Sequence, residues 1–183
     1  YAHGIATIAL CEAYGLTRDD RLRPAVEKAI GFIIAAQDPN RGGWRYTRRP
    51  QDRVWLKQSD TSVSGWQLMA LKSAQMAGLT VPNQVWQKAE HWLDLAQHDG
   101  GAQYCYSPFV PSSPNQPSGR KPNLAMTAEG LLMRLYLGWE PDREPMRRGI
   151  ELLRANPPVI DAKKPDLRDT YYWYYATQVM FQA

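Results

Sequence analysis

The stretch KAIGFIIAAQDPNRGGW, residues 28–44, decides the fold because it joins an apolar helical run to a tight turn. The apolar run ends at Gln37, and the nearby Pro39 cannot continue a helix. Two adjacent glycines then permit a sharp change of backbone direction before the large ring of Trp44. We interpret the stretch as a structural clasp between helices, and not as a catalytic site by itself.

Parts of this stretch recur twice at a spacing of 60 residues, which indicates an internal repeat. Gln37 has its counterpart in Gln97, and each leads to a pair of adjacent glycines. The basic and small residues that open the stretch also recur, as Lys28-Ala29, Lys88-Ala89 and Arg148-Gly149. Three copies in one register predict a repeat protein.

The later copies are less complete than the first. When the glycine pairs are aligned, Ala102 takes the place of Trp44, and Tyr104 takes the place of Tyr46. The third copy has Pro157 where the glutamine is expected. A tryptophan at the turn is therefore expected in the first copy only.

The composition predicts a folded chain with a sizeable core. The 183 residues are 44% hydrophobic, which argues against disorder, and the formal net charge of +4 is too small to indicate nucleic-acid binding. The longest apolar run, AIGFIIAA at 29–36, is shorter than the roughly 20 residues that a membrane span requires. Cys11 and Cys105 are expected to be buried small hydrophobes. The chain starts at Tyr1 within a helical pattern, so we interpret it as part of a longer protein.

Each repeat is predicted to contain two helices of different character. One set has apolar residues at spacings of three and four on a single face, and is expected to be outer. The other set is apolar nearly all round and is expected to be inner. Three inner helices should end at glycine caps. The inner segments are 3–16, 64–79, 124–139 and 170–181, and the expected caps are Gly15, Gly78 and Gly138.

These helices predict an all-α fold with about four inner and three outer helices. We expect one domain over residues 1–183. The proline-rich stretch 107–122 resembles a linker, but the repeat register continues across it, so we interpret it as a loop inside a repeat. The expected repeats are roughly 1–44, 45–102 and 103–157, followed by a last inner helix at 169–182.

The first copy resembles the QW motif of squalene–hopene and oxidosqualene cyclases. The resemblance implies an α/α toroid, a fold shared with protein prenyltransferase β subunits. It further implies that the glutamine braces the start of the next inner helix while the tryptophan stacks on the outer one. The chain is too short for a whole ring, so we expect upstream residues or self-association to complete it. The residues that carry the resemblance are Lys28, Ala29, Phe32, Gln37, Gly42 and Trp44, with Gln97 in the second copy.

The catalytic signatures of these relatives are missing from the sequence. The pair Asp19-Asp20 lies in a loop and does not form the Asp-x-Asp-Asp acid of the cyclases. Asp60 falls on the aspartate of the prenyltransferase zinc site, but Ser62 and Tyr172 stand in place of its cysteine and histidine. We therefore expect no metal and no cofactor.

Four carboxylates of the inner helices are candidate catalytic residues. Two of them precede helix starts, where a carboxylate usually acts as an N-terminal cap. If two converged at roughly 5 to 10 Å, they would suit the acid and base of a carbohydrate-active toroid enzyme. The four candidates are Glu12, Asp60, Glu129 and Asp169.

Aromatic residues of the inner helices predict a ligand cavity. Consecutive residues of a helix point in different directions, so some of these rings should pack while others line the hollow. The main hypothesis is an apolar, isoprenoid-like ligand, because such rings attract apolar groups and cations. The alternatives are the carbohydrate-active enzyme and a non-catalytic scaffold that binds protein. The candidate cavity residues are Trp66, Tyr171, Tyr172, Trp173 and Tyr175.

Overall fold

The computed structural model describes residues 1–46, 59–111, 119–159 and 169–183. These residues are mostly helical, which confirms the all-α class. The strands β1 (Gln97–His98) and β2 (Gln103–Tyr104) form a short antiparallel ladder around a 3-10 turn at Asp99–Gly101. The helices are α1 (Ala2–Thr17), α2 (Arg23–Ala36), α3 (Thr61–Met76), α4 (Asn83–Ala96), α5 (Leu124–Tyr136), α6 (Glu144–Arg154) and α7 (Thr170–Gln182).

Side chains placed by the sequence start several of these helices. Asp60, Asn123 and Asp169 each accept a hydrogen bond from the backbone N–H three residues further on, at the starts of α3, α5 and α7. Pro24 and Pro145 lie in the first turns of α2 and α6, where a missing N–H costs no helical bond. The helix starts therefore follow from local chemistry.

Glycines end α3 and α5 as predicted, but the prediction for α1 is wrong. Gly78 and Gly138 follow these helices with positive φ angles of 83° and 94°. The helix α1 continues past Gly15 to Thr17, and the cap residue Arg18 follows it with a φ of 54°. The Arg18 guanidinium donates to the carbonyl oxygen of Ala77 at 2.6 Å. The end of α1 thus makes a contact with a distant part of the chain, and a local pattern does not reveal that contact.

The burial of the helices matches the predicted inner and outer sets only in part. The helices α3 and α5 are buried on nearly every side, whereas α2 and α6 bury one face. The terminal inner helices were expected to be buried all round, but Leu16 of α1 and Phe181 of α7 are 87% and 88% exposed. Among the described helices, α1 packs on α2 and α3, and α7 packs on α5 and α6, which buries one side of each.

The chain divides into two compact units, Tyr1–Trp92 and Leu93–Ala183. The core of the first unit is built from α1, α2 and α3, and that of the second from α5, α6 and α7. The boundary between the units falls inside α4, so this helix contributes residues to both. No helix in the described ranges is long and apolar enough to cross a membrane. Of the proline-rich stretch, residues 112–118 lie outside the described residues.

Candidate functional site

The first clasp, from Gln37 to Trp44, fixes the end of α2 against the start of α4. The buried amide nitrogen of Gln37 donates to the carbonyl oxygens of Gly42 at 2.8 Å and Val85 at 2.9 Å. The indole nitrogen of the buried Trp44 donates to the carbonyl oxygen of Ile33 at 2.7 Å. Trp44 therefore contacts the outer helix α2 through this hydrogen bond, and the stacking that the resemblance implies stays a prediction.

The bonds from the amide nitrogen of Gln37 differ from the expected bracing of the next inner helix. Val85, which accepts one of them, lies in the first turn of the outer helix α4. The clasp reaches the inner helix α3 through the backbone of Trp44, whose N–H donates to Ser64 Oγ at 2.9 Å and whose carbonyl accepts from Asp60 N–H at 3.1 Å. Asp60 caps α3 by accepting a hydrogen bond from the N–H of Val63.

The second clasp, from Gln97 to Tyr104, repeats these backbone bonds. The N–H of Tyr104 donates to Thr127 Oγ1 at 3.2 Å, and its carbonyl oxygen accepts from Asn123 N–H at 3.3 Å. Asn123 is the N-cap of α5 and Thr127 is the fourth residue after it, just as Asp60 and the fourth residue after it serve the first clasp. The two clasps therefore share the same pair of bonds to the inner helix that follows each of them.

This equivalence corrects the alignment made from the sequence. Tyr104, and not Ala102, occupies the place of Trp44. The pairing of Tyr104 with Tyr46 is wrong for the same reason, because Tyr104 is fully buried whereas Tyr46 is exposed. Trp44 and Tyr104 each follow the glutamine of their own clasp by seven residues. This spacing from the glutamine gives the correct alignment of the two clasps. Aligning on the glycines shifts the register by two residues.

A buried arginine that the sequence pattern does not mark as functional supports the second clasp. The Nε of Arg134 donates to the Tyr104 hydroxyl at 3.0 Å, and its Nη2 lies 2.6 Å from a carboxylate oxygen of Asp94. The same Nη2 is 3.5 Å from Gln97 Oε1, and the guanidinium lies over the ring of Trp139 at 4.3 Å. These contacts make the second clasp a structural joint.

The other motif residues lie on the outer helix α2. Lys28 is exposed, and Phe32 is partly exposed with its ring 4.5 Å from that of His3. The carbonyl oxygen of Ala29 accepts a hydrogen bond from His3 Nε2 at 3.0 Å. Phe32 and Ala29 therefore join α2 to α1, and the charged Lys28 is exposed to solvent.

Asp60 is the fully buried cap of α3. Its Oδ1 accepts from Val63 N–H at 2.8 Å and from the Ser62 hydroxyl at 2.7 Å, and its Oδ2 lies 3.2 Å from Arg45 Nη1. The hydroxyl of Tyr1 hydrogen-bonds to Ser62 at 2.7 Å. Burial raises the pKa of Tyr1, and the charge of Asp60 adds to the increase. The interpretation of Asp60 as a helix cap is confirmed.

Asp169 and Glu12 are both exposed. Asp169 caps α7 by accepting a hydrogen bond from Tyr172 N–H at 2.9 Å, which confirms its interpretation as a cap. Glu12 lies on the exposed side of α1. The environments of these two carboxylates, together with the capping role of Asp60, do not favour a paired catalytic acid and base.

Glu129 has a different environment, because α5 buries it fully against tyrosines of α7. The hydroxyl of Tyr171 donates to Glu129 Oε2 at 3.0 Å. The rings of Tyr171 and Tyr175 lie 5.0 Å apart between centroids and are tilted by 58°. Burial raises the pKa of Tyr175, and the charge of Glu129 raises it further. The packing of α5 on α7 thus unites one candidate carboxylate with two candidate cavity residues.

The remaining candidate aromatic residues have separate surroundings. Tyr172 is buried, and its hydroxyl donates to the carbonyl oxygen of Asn156 at 2.6 Å, so its ring packs at the end of α6. Trp173 is half-buried on α7. Trp66 is half-buried on α3, in the first unit.

No protein-family model, no curated protein and no solved structure matches this chain. Among the residues that the structure describes, no group of three His, Cys, Asp or Glu side chains could hold a metal ion. The clasps and the buried cluster around Glu129 are therefore the features from which function is inferred.

Proposed function

We propose that this chain is a repeat protein of the terpenoid cyclase and prenyltransferase type that binds an apolar, isoprenoid-like ligand on its inner helices. The observation that carries the proposal is the recurrence of the clasp. Trp44 and Tyr104 make the same two backbone bonds, each to the inner helix that follows it. A recurring connection from the turn to the next inner helix is what a QW-type repeat requires.

Half-buried aromatic rings on the inner helices offer apolar surface to such a ligand in each unit taken by itself, Trp66 in the first unit and Tyr171 and Trp173 in the second. Trp66, Tyr171 and Trp173 are each partly exposed, and Tyr174 is 40% exposed. Packing holds such a ring in place, so little side-chain entropy is lost when a ligand covers its open part. Covering apolar area is worth about 25 cal/mol per Å². Covering these rings would therefore contribute to the affinity of an apolar ligand.

A second candidate is the non-catalytic scaffold that binds protein. The exposed apolar side chains of Leu16 on α1 and Phe181 on α7 favour it, because protein-binding surfaces are often apolar. The scaffold predicts no saturable binding of a small isoprenoid. The two candidates are therefore separated by one binding assay.

The assay is equilibrium dialysis of tritiated geranylgeraniol against the purified protein. We expect saturable binding that Trp173→Ala weakens about tenfold, since a buried ring face contributes on the order of 1 to 2 kcal/mol. Trp86→Ala is the matched control, because Trp86 is also half-buried but lies on the outer helix α4. Trp66→Ala tests the first unit in the same way. Binding that never saturates, or equal losses in the Trp173 and Trp86 variants, would count against the proposed function.

A further inference from the structure

A chain of hydroxyl groups leads from the surface of the first unit to the buried carboxylate of Asp60, and we name it the hydroxyl chain. The hydroxyls of Tyr46 and Tyr1 lie 3.0 Å apart in an exposed hydrogen bond. The Tyr1 hydroxyl is 2.7 Å from the Ser62 hydroxyl, which donates to Asp60 Oδ1 at 2.7 Å. Tyr46 is 52% exposed, whereas Ser62 and Asp60 are buried. The hydroxyl chain therefore joins solvent to the start of the inner helix α3.

The carboxylate of Asp60 fixes the direction of the inner bonds of the hydroxyl chain. It accepts a hydrogen bond from Val63 N–H at 2.8 Å and lies 3.2 Å from Arg45 Nη1, and both neighbours favour its ionised form. An ionised carboxylate only accepts hydrogen bonds, so the single hydroxyl proton of Ser62 is committed to Asp60. Ser62 therefore accepts from Tyr1, and Tyr1 is the donor in that bond.

The direction of the outer bond follows in the same way. Tyr1 donates its single hydroxyl proton to Ser62, so Tyr46 is the donor in the bond between the two tyrosines. Burial is the largest cause that raises the pKa of Tyr1, so this phenol keeps its proton at neutral pH. Hydrogen bonds in series also polarise one another, which strengthens the Tyr46 oxygen as an acceptor. The hydroxyl of Tyr46 therefore offers a ligand an acceptor and not a donor.

Apolar surface lies beside this acceptor. The rings of Tyr1 and Tyr46 meet edge to face, with their centroids 5.2 Å apart, and both residues are partly exposed. Ile5 is 47% exposed and lies one helical turn after Tyr1, to whose carbonyl oxygen its N–H donates. A single acceptor beside such side chains suits a ligand that is apolar except for one hydrogen-bond donor.

The charge near the acceptor favours a neutral donor over a charged group. The guanidinium of Arg45 lies 5.8 Å from the centre of the Tyr46 ring, so it repels an ammonium group placed on this tyrosine. A carboxylate or phosphate brings acceptors, which the Tyr46 oxygen cannot satisfy, and Arg45 is already ion-paired with Asp60. A hydroxyl group is both neutral and able to donate.

We propose that Tyr46, oriented by the hydroxyl chain, accepts a hydrogen bond from a hydroxyl group of the apolar ligand. The inference rests on the proposed function and narrows its ligand class to apolar alcohols. The apolar part of the ligand covers the exposed parts of Tyr1, Tyr46 and Ile5. Tyr46 is the residue in contact with the hydroxyl group, and Ser62 is a positioning residue, because it acts through Tyr1.

The test compares geranylgeraniol with its methyl ether, which keeps the apolar chain and the oxygen but has no proton to donate. Equilibrium dialysis of each tritiated ligand against the whole chain gives the two dissociation constants. We expect the wild-type protein to bind the alcohol about fivefold more tightly than the ether, the usual effect of one hydrogen bond. Tyr46→Phe should reduce this preference to less than about twofold by weakening the binding of the alcohol. Ser62→Ala removes the acceptor that orients Tyr1 and should give an intermediate preference.

Tyr106→Phe is the matched control, because it also removes a hydroxyl from a partly exposed tyrosine, but one in the second unit. Its preference for the alcohol should equal that of the wild-type protein. Circular dichroism establishes that each variant is folded, and Tyr46→Phe carries the test by itself if Ser62→Ala does not fold. Equal affinity of the wild-type protein for the two ligands, or an unchanged preference in Tyr46→Phe, would overturn the subsite and leave the proposed function standing. Failure of both ligands to bind saturably would overturn the proposed function and the subsite with it.

Discussion

At the scale of single residues, the first clasp depends on a close approach of two backbones at Gly42. A Cβ atom added there would lie 1.8 Å from the carbonyl oxygen of Lys88, so α4 would have to move. Gly138 has a similarly positive φ of 94° but open space around it. Substitutions at the two glycines therefore separate the free-energy cost of placing a side chain on a backbone with positive φ from the cost of the steric clash.

We predict that Gly138→Ala lowers the free energy of unfolding by about 1 to 2 kcal/mol, from backbone strain alone. Gly42→Ala should cost more than about 4 kcal/mol, because strain is joined by a clash with backbone. Urea unfolding followed by circular dichroism measures both. Equal losses would show that the clasp does not approach α4 as closely as the structure indicates.

The two clasp glutamines should differ in their contributions to stability. Gln37→Leu removes two bonds from a buried amide and should cost about 1 to 3 kcal/mol. Gln97 is only half-buried, and its bond from Arg134 is long, at 3.5 Å. Gln97→Leu should therefore cost less than Gln37→Leu in the same urea titration. The reverse order would contradict the description of the first clasp as the more tightly bonded one.

At the scale of helices, the caps of α3 and α5 perform the same task with different chemistry. Asn123→Ala should cost about 1 kcal/mol, the usual worth of a capping side chain. Asp60→Ala should cost more, because Arg45 and Ser62 also lose the carboxylate that they contact. Asp60→Asn keeps an acceptor for the cap and should restore part of the loss. Thermal unfolding measures the series, and equal losses for the two alanine variants would be evidence against the ion pair with Arg45.

Most of the helices could be predicted from local chemistry, whereas the features that the sequence did not predict involve long-range contacts. Apolar spacings of three and four and the capping side chains are encoded within a few residues, so the starts of α3, α5 and α7 follow from them. The residue that follows α1, Arg18, makes a bond to Ala77, across 59 residues. The contact of Glu129 with Tyr171 likewise depends on how α5 and α7 pack. No periodicity in the sequence encodes such pairings.

At the scale of the whole molecule, each compact unit carries one buried cysteine, Cys11 in the first and Cys105 in the second. Burial raises the pKa of each thiol from 9.0 to about 11. At pH 8 both thiols are therefore neutral and slow to react in the folded protein. The stability gained from the neutral thiols should be lost as pH rises from about 9 toward 11, because the unfolded chain ionises first.

The two cysteines can report on whether the units unfold together. The helix α4 contributes residues to both units, so its loss should disrupt both at once. We predict that Cys11 and Cys105 become reactive toward iodoacetamide at the same urea concentration, as peptide mapping by mass spectrometry will show. Labelling of one thiol well before the other would show that the units are independent.

The most direct test of the central claim is mass spectrometry of an organic extract from the protein purified under mild conditions. The claim is that the inner helices bind an apolar, isoprenoid-like molecule. It predicts a discrete isoprenoid in the extract of the wild-type protein and much less of it in the extract of Trp173→Ala. A clean extract from wild-type protein whose helical circular dichroism spectrum is intact would contradict the claim and favour the protein-binding scaffold.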